Sequence, residues 1–219
     1  MSERVVSVNV GPVASIIRGD RSLRTGIRKV PVEGRVEVGA EGLAGDGQGN
    51  RDVHGGPHMA VYLYSRDDYD WWEGQLGRPL PDGLFGENLT VTGLRDGEVA
   101  CGDRFTVGGV ELEVTVPRLP CATLGAWMRD DTFPDRFMKA GRLGFYARVL
   151  RTGAVRAGDE VTRIARGPDP EVTVTAMAHA RVDGARDRDA LTLVSHARDT
   201  LHPRWVSWVN ERLAALDRT

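Results

Sequence analysis

Apolar and polar side chains alternate through much of the chain, and nowhere more clearly than where Val110, Leu112, Val114 and Val116 are interleaved with Glu111, Glu113 and Thr115. A period of two predicts a strand with one face on a core. Comparable runs span Val5 to Val10, Val30 to Val38, Ala60 to Tyr64, Val107 to Val116 and Phe145 to Leu150, with glycine-rich turns between them. Gly102-Asp103 and Gly158-Asp159 read as turns feeding strands. Many short strands and few helices predict a mostly β fold, a sandwich or barrel. One helix interrupts the pattern from Ser65 to Leu76. Ser65 and Asp68 stand at capping-box spacing, Tyr69, Trp72 and Leu76 share a face, and Gly77 ends it. Trp71-Trp72 is assigned to core packing rather than to a ligand-stacking platform.

The pattern changes at Arg166-Gly167-Pro168-Asp169-Pro170. Residues 1–165 are expected to form the β domain and residues 170–219 a small helical module. Pro203 suits a first helical position, and Trp205, Val209 and Leu213 recur every four residues, with Trp208 widening the stripe. That face is expected to pack on the first domain or on a sister subunit in a homodimer.

Composition narrows the chemistry. With 29 basic and 31 acidic side chains the formal charge is −2, so no global field draws nucleic acid or an anionic membrane. An anion site must be local. The start of the chain lacks the basic and long apolar run of a signal peptide and no stretch approaches a membrane span, which predicts a cytoplasmic protein. Two cysteines, Cys101 and Cys121, are too few for an iron–sulfur cluster, a four-cysteine zinc site or a disulfide framework. The chain also lacks the nicotinamide, Walker and haem-attachment motifs. If it does redox chemistry, an external reductase must bring the electrons.

Cys121 has the most informative context, Val116-Pro117-Arg118-Leu119-Pro120-Cys121-Ala122-Thr123-Leu124. Two prolines stop the strand and present the cysteine on a stiff elbow before a short helical run from Ala122 to Met128. A thiolate there suits a soft metal or a nucleophile. Cys101, without such a context, reads as a buried inert thiol. The loop from Gly45 to His58 holds enough glycine to bring backbone N–H groups close to a ligand, although a surface turn has similar composition. His54 and His58 could join the cysteines around zinc, but their spacing matches no finger. Asn88 offers a donor and an acceptor for a heterocycle edge, with an Asx turn as the plain alternative. Lys29, Arg118, Arg142 and Arg148 would form a phosphate pocket if the fold gathers them, and are solvated charges otherwise.

Taken in order, Thr25-Gly26-Ile27-Arg28-Lys29, Gly45-Asp46, His54-Gly55-Gly56, Phe85-Gly86-Glu87-Asn88-Leu89, Gly102-Asp103-Arg104-Phe105, Pro117-Arg118-Leu119-Pro120-Cys121 and Gly144-Phe145-Tyr146-Ala147-Arg148-Val149 resemble the MOSC family, named for the molybdenum cofactor sulfurase C-terminal domain. The tail resembles the three-helix appendage of the branch associated with resistance to 6-N-hydroxylaminopurine. The resemblance implies a β-barrel that binds a molybdopterin-type molybdenum cofactor, with Cys121 as the metal ligand. It also implies cofactor or active-site contacts from Lys29, His54, Asn88, Arg118 and Arg148. The implied reaction is reduction of N-hydroxylated bases and related compounds, R–NHOH to R–NH2, with His54 a candidate proton donor. A non-catalytic cofactor carrier or sulfur-transfer protein is the alternative, and a metal-free interaction module a third. One departure stands out. Where such sequences often read His-Gly-Gly-x-Asp-Lys-Ala-Val, this chain has His54-Gly55-Gly56-Pro57-His58-Met59-Ala60-Val61.

Overall fold

The computed structural model describes residues 3–49 and 55–218. Eight strands form one sheet: β1 (Val5–Val10), β4 (Val30–Pro31), β7 (Val61–Ser65), β8 (Leu89–Val91), β9 (Arg104–Val107), β10 (Val110–Pro117), β11 (Phe145–Arg151) and β13 (Val161–Ala165). Their spatial order is β13-β9-β10-β11-β7-β8-β1-β4, antiparallel except for the parallel pair β7 and β8. The sheet curls on itself. The Val5 amide donates to Asp159 O at 2.9 Å and the Val161 amide to Glu3 O at 2.9 Å, so the start of β1 meets the approach to β13. Beside it lie the small sheet of β5 (Val36–Gly39), β6 (Gly42–Leu43) and β12 (Gly153–Val155), and the hairpin of β2 (Ala14–Arg18) and β3 (Arg21–Thr25).

Two predicted strands are each divided. Val107 to Val116 is a hairpin, because Gly108 turns the chain in the left-handed region at φ 55° and Gly109 follows it. Val30 to Val38 breaks after Pro31, with Gly34 at φ 81°. The alternation in β10 is real, but its polar side is not wet. Glu113 and Thr115 are buried. Glu113 takes the Arg104 Nε–H at 2.9 Å and is ion-paired with Arg148, and the Thr115 hydroxyl donates to His58 O at 2.6 Å. A buried carboxylate is tolerable only when so partnered.

Six helices complete the described residues. Helix α1 (Arg66–Leu76) starts at Ser65 and ends at Gly77, φ 64°, but Ser65 makes no side-chain cap. Asp68 is instead ion-paired with Arg142. Tyr69 and Trp72 enter an aromatic core with Phe85 and with Phe133 and Phe137 of α3 (Phe133–Ala140). Trp72 and Phe137 stack with ring centroids 5.6 Å apart, so the tryptophan is a packing residue. Helix α2 (Ala122–Met128) lies between that core and the elbow.

The tail carries α4 (Val174–Val182), α5 (Arg188–Ser195) and α6 (Pro203–Leu216). Its approach is fastened to the sheet, with Gly167 N–H donating to Asp103 Oδ1 at 2.8 Å and Cys101 N–H to Val172 O at 2.9 Å. Val174, Met177, Val194, Trp205 and Val209 are buried in the same apolar cluster as Phe105, Leu112 and Phe145. Each such side chain contributes about 1.5–3 kcal/mol. The predicted apolar stripe of α6 is therefore spent on the chain's own core. No helix among the described residues is long and apolar enough to cross a membrane.

Candidate functional site

Beside the end of β10 the backbone runs Pro117-Arg118-Leu119-Pro120 into Cys121, which caps α2 in an extended conformation, φ −135° and ψ 171°. The two prolines and the Arg118 N–H bond to Gly144 O, 3.1 Å, fix this elbow. The partly buried Cys121 faces a cavity of about 590 Å³, whose lining also includes Lys29, Asp46, Met59, Tyr62, Asn88, Arg118 and Tyr146. No described residue of the tail lines it.

The glycine loop is a wall of this cavity. A Cβ on Gly26 would lie 1.7 Å from Gly47 O, and one on Gly47 would lie 2.6 Å from Val13 N. Backbone packs on backbone here, so these glycines answer a close approach and not a surface turn. Between them Asp46 collects the Gly11 N–H at 3.0 Å, the Asn88 Nδ2–H at 2.9 Å and the Lys29 ammonium. Both members of the Lys29–Asp46 pair are buried, at 7% and 8% side-chain exposure. Burial pulls the Lys29 amine below its ordinary value, against the opposing pull of Asp46 and Glu87.

Asn88 is not an Asx turn. Its Oδ1 accepts the Tyr62 N–H at 3.1 Å while its Nδ2 reaches Asp46, so it clamps β7 to the glycine loop beneath the cavity. Arg118 has a different situation. Its side chain is buried, with the guanidinium carbon 5.9 Å from the Tyr62 ring centroid and 5.5 Å from that of Phe137. Its Nη1 has no hydrogen-bond partner among the described residues. A buried donor left unpaired costs about 1–3 kcal/mol, more for a charged group, so this nitrogen needs a partner that the described residues do not supply.

The structure thus gathers Lys29, Asn88, Arg118 and Cys121 and leaves others elsewhere. Arg148 is ion-paired with Glu113 and is not among the lining residues, so the fold does not gather it with Lys29 and Arg118. The reason is local: β10 places Glu113 opposite Arg148 across the ladder. Arg142 is spent on Asp68 and lies over the Trp71 ring at 4.9 Å. His54 lies outside the described residues. His58 is in a one-turn 3-10 segment, Pro57–Met59, with its ring 5.4 Å from that of His202. Cys101 is in the core, and burial pushes its thiol up to about 12. Among the described residues no three histidine, cysteine, aspartate or glutamate side chains converge as a metal site would require.

Asp46, Met59 and Tyr146 also line the cavity, though the sequence alone singles out none of them. Asp46 was visible as an acid between glycines, Met59 as the replacement for the lysine of related sequences, and Tyr146 as part of Gly144-Phe145-Tyr146. Gly144 is required there: at φ 65°, a Cβ would stand 2.4 Å from Leu63 O.

Residues 50–162 match the family model for the MOSC domain. The protein YflK of Bacillus subtilis strain 168 is 37% identical over 163 residues, which is 74% of each chain. A protein of Gibberella moniliformis named a reductase is 32% identical over 202 residues, 90% of this chain and 35% of its own length. The crystal structure of YiiM from Geobacillus stearothermophilus has a TM-score of 0.79 at 27% identity and covers 96% of this chain and 99% of its own.

Proposed function

Since this chain belongs to the MOSC domain family, we propose that its cavity holds a molybdopterin-type molybdenum cofactor and reduces N-hydroxylated bases and related compounds. The observation that carries this reading is the orphaned Nη1 of Arg118, a buried cationic donor in the same cavity as the thiol of Cys121. Together they offer a soft ligand for a metal and a donor for a phosphate, the two chemistries that such a cofactor demands. The relative named a reductase supports the oxidoreductase class. The absence of nicotinamide, nucleotide and haem motifs supports an external reductase as electron donor.

In this reading Cys121 would ligate the metal and Arg118 would hold the phosphate. The cofactor would supply two-electron chemistry at an N–O bond. Lys29 and Asn88 act on the wall: the first neutralises Asp46 and the second fastens that carboxylate to β7. The apolar faces of Met59, Tyr62 and Phe85 exclude water beside them. His54 is retained as a candidate proton donor to the departing oxygen. His58 and Met59 in place of the Asp-Lys of related sequences leave the wall at residue 59 uncharged, which favours neutral heterocyclic substrates over anionic ones.

The test is to express the chain in cells that make the cofactor, measure molybdenum, and assay an N-hydroxylated base with reduced viologen as donor. Stoichiometric metal and amine product support the reductase. Metal without turnover would favour the carrier, and no metal would remove both.

A further inference from the structure

The four tyrosines of the chain are not used alike. The Tyr62 hydroxyl donates to Leu143 O at 2.7 Å, that of Tyr64 to Arg142 O at 2.9 Å and that of Tyr69 to Glu87 Oε1 at 2.6 Å. Each is tied to the protein, as a buried hydroxyl should be. The Tyr146 hydroxyl makes no hydrogen bond to any described residue, although its ring packs 5.2 Å from that of Tyr62 and lines the cavity.

The backbone that carries it is fixed from several sides. Asp96 is buried and receives the backbone N–H groups of Leu143 at 2.7 Å and Gly144 at 3.1 Å, pinning the start of β11. The Arg118 amide binds Gly144 O from the other side, and the Thr115 hydroxyl, shared with His58 O, lies 3.1 Å from Tyr146 O. The strand therefore presents Tyr146 at the cavity between the elbow that bears Arg118 and Cys121 and the loop that bears Asp46. Those three are the charged or ionisable groups that act on its hydroxyl. A phenol hydroxyl is protonated across the neutral range and can donate.

Several of the other polar groups at this wall are engaged, and Arg118 is assigned to the cofactor's phosphate. Lys29 is held by Asp46, Asn88 by Tyr62 N–H and Asp46, and Thr25 Oγ1 accepts the Ile27 N–H at 3.1 Å. We propose that Tyr146 is a specificity-determining residue whose hydroxyl donates a hydrogen bond to the oxygen of the substrate's N–O group, so that the cavity selects the N-hydroxylated compound over its amine. The proposal rests on the reductase reading and adds to it a named recognition group. A site built to hydrogen-bond a substrate oxygen rejects the analogue that lacks it, because the protein donor is then left unpaired.

The experiment uses full-length protein loaded with cofactor and no electron donor, so that binding is read without turnover. Calorimetry would compare an N-hydroxylated base with the corresponding amine on the parent and on Tyr146→Phe, which keeps the ring and removes one oxygen. The parent should bind the N-hydroxy compound at least about tenfold more tightly, and the variant should bind the two within about twofold while retaining the parent's molybdenum content. With reduced viologen, the variant's kcat/KM for the N-hydroxy compound should fall by a similar factor. A second measurement needs no variant: in protein labelled with ¹³C at the tyrosine Cζ, the N-hydroxy compound should move one resonance and the amine none. Undiminished discrimination in Tyr146→Phe would overturn the proposal, as would an unmoved tyrosine spectrum. Loss of molybdenum from that variant would overturn it too, by assigning Tyr146 to cofactor retention. If the loaded parent neither binds nor reduces N-hydroxy compounds, the reductase reading fails first and takes this inference with it. If the parent turns over and Tyr146→Phe discriminates equally well, only the inference fails.

Discussion

The Lys29 ammonium is tied to the Asp46 carboxylate inside the cavity wall, so what the sequence presents as a cation is part of a neutral pair. Removing one partner leaves the other charge buried without compensation, which costs about 3–5 kcal/mol, whereas removing both does not. Asp46→Asn should therefore lower stability by an amount of that order in urea titrations. The double variant Lys29→Met, Asp46→Asn should recover most of the loss. Equal losses in the single and double variants would show that the pair is not the source of the effect.

Arg118 is the contrasting case, because its Nη1 has no partner in the wall. A charge-assisted hydrogen bond contributes about 1.5–3 kcal/mol, or roughly ten- to a hundredfold in affinity. Arg118→Met keeps the apolar stem over Tyr62 and Phe137 and should fold, yet retain much less cofactor through gel filtration. Molybdenum and pterin content equal to the parent's would remove Arg118 as the phosphate-binding group.

Much of this architecture was legible in the chain. The strands β1, β7 and β11, the helix ending at Gly77 and the elbow at Cys121 all follow from period, proline and glycine. The hairpin at Gly108 was less legible, since Val107 and Val110 belong to one apolar run and only the φ of the glycine divides it. Cys121, Arg118, Asn88 and Lys29 meet because short segments far apart in sequence converge at one cavity. Arg148 shows the limit of reading residues by motif. Which arginine meets a carboxylate depends on the cross-strand register that puts Glu113 opposite it, and register is a tertiary property. The tail likewise read as separable from its linker-like composition, while its energetics lie in shared burial with the sheet.

His58 and His202 join the tail to the Pro57–Met59 turn that precedes β7, and both are held below the ordinary histidine value by burial. Arg148 disfavours the charged form of His58 while Glu113 favours it, and His202 is disfavoured by His58 and Arg204. A depressed folded value means that the unfolded chain binds more protons, so stability is full above about pH 6.5 and is lost as pH falls from there through the folded values. Protonation also removes the His202 Nδ1 acceptor that caps α6 through the Arg204 N–H. Melting temperature should fall between about pH 7 and 5, and His58→Gln with His202→Asn should flatten that limb. An unchanged slope in the double variant would assign the acid sensitivity to carboxylates.

The sharpest distinction lies between the two cysteines, because they share a chemistry and differ in surroundings. Cys101 is enclosed in the core with its Sγ 3.4 Å from Thr200 Oγ1, and its thiol is pushed up to about 12. Cys121 stands at the cavity on a proline-stiffened elbow. Replacing sulfur by oxygen changes shape little but exchanges a soft ligand for a hard hydroxyl that stays protonated at neutral pH. Cys121→Ser should fold as the parent does and lose turnover of N-hydroxylated substrates, together with any sulfur-to-molybdenum absorption. Pterin should still be recovered with it, because Arg118 is unchanged. Cys101→Ser should keep turnover and absorption, with only a modest change in stability, because the hydroxyl inherits the acceptors the thiol already faces, Thr115 O at 3.3 Å and Thr200 Oγ1 at 3.4 Å. If Cys121→Ser retains both activity and the absorption band, the thiolate is not the ligand, and the elbow serves only to close the cavity.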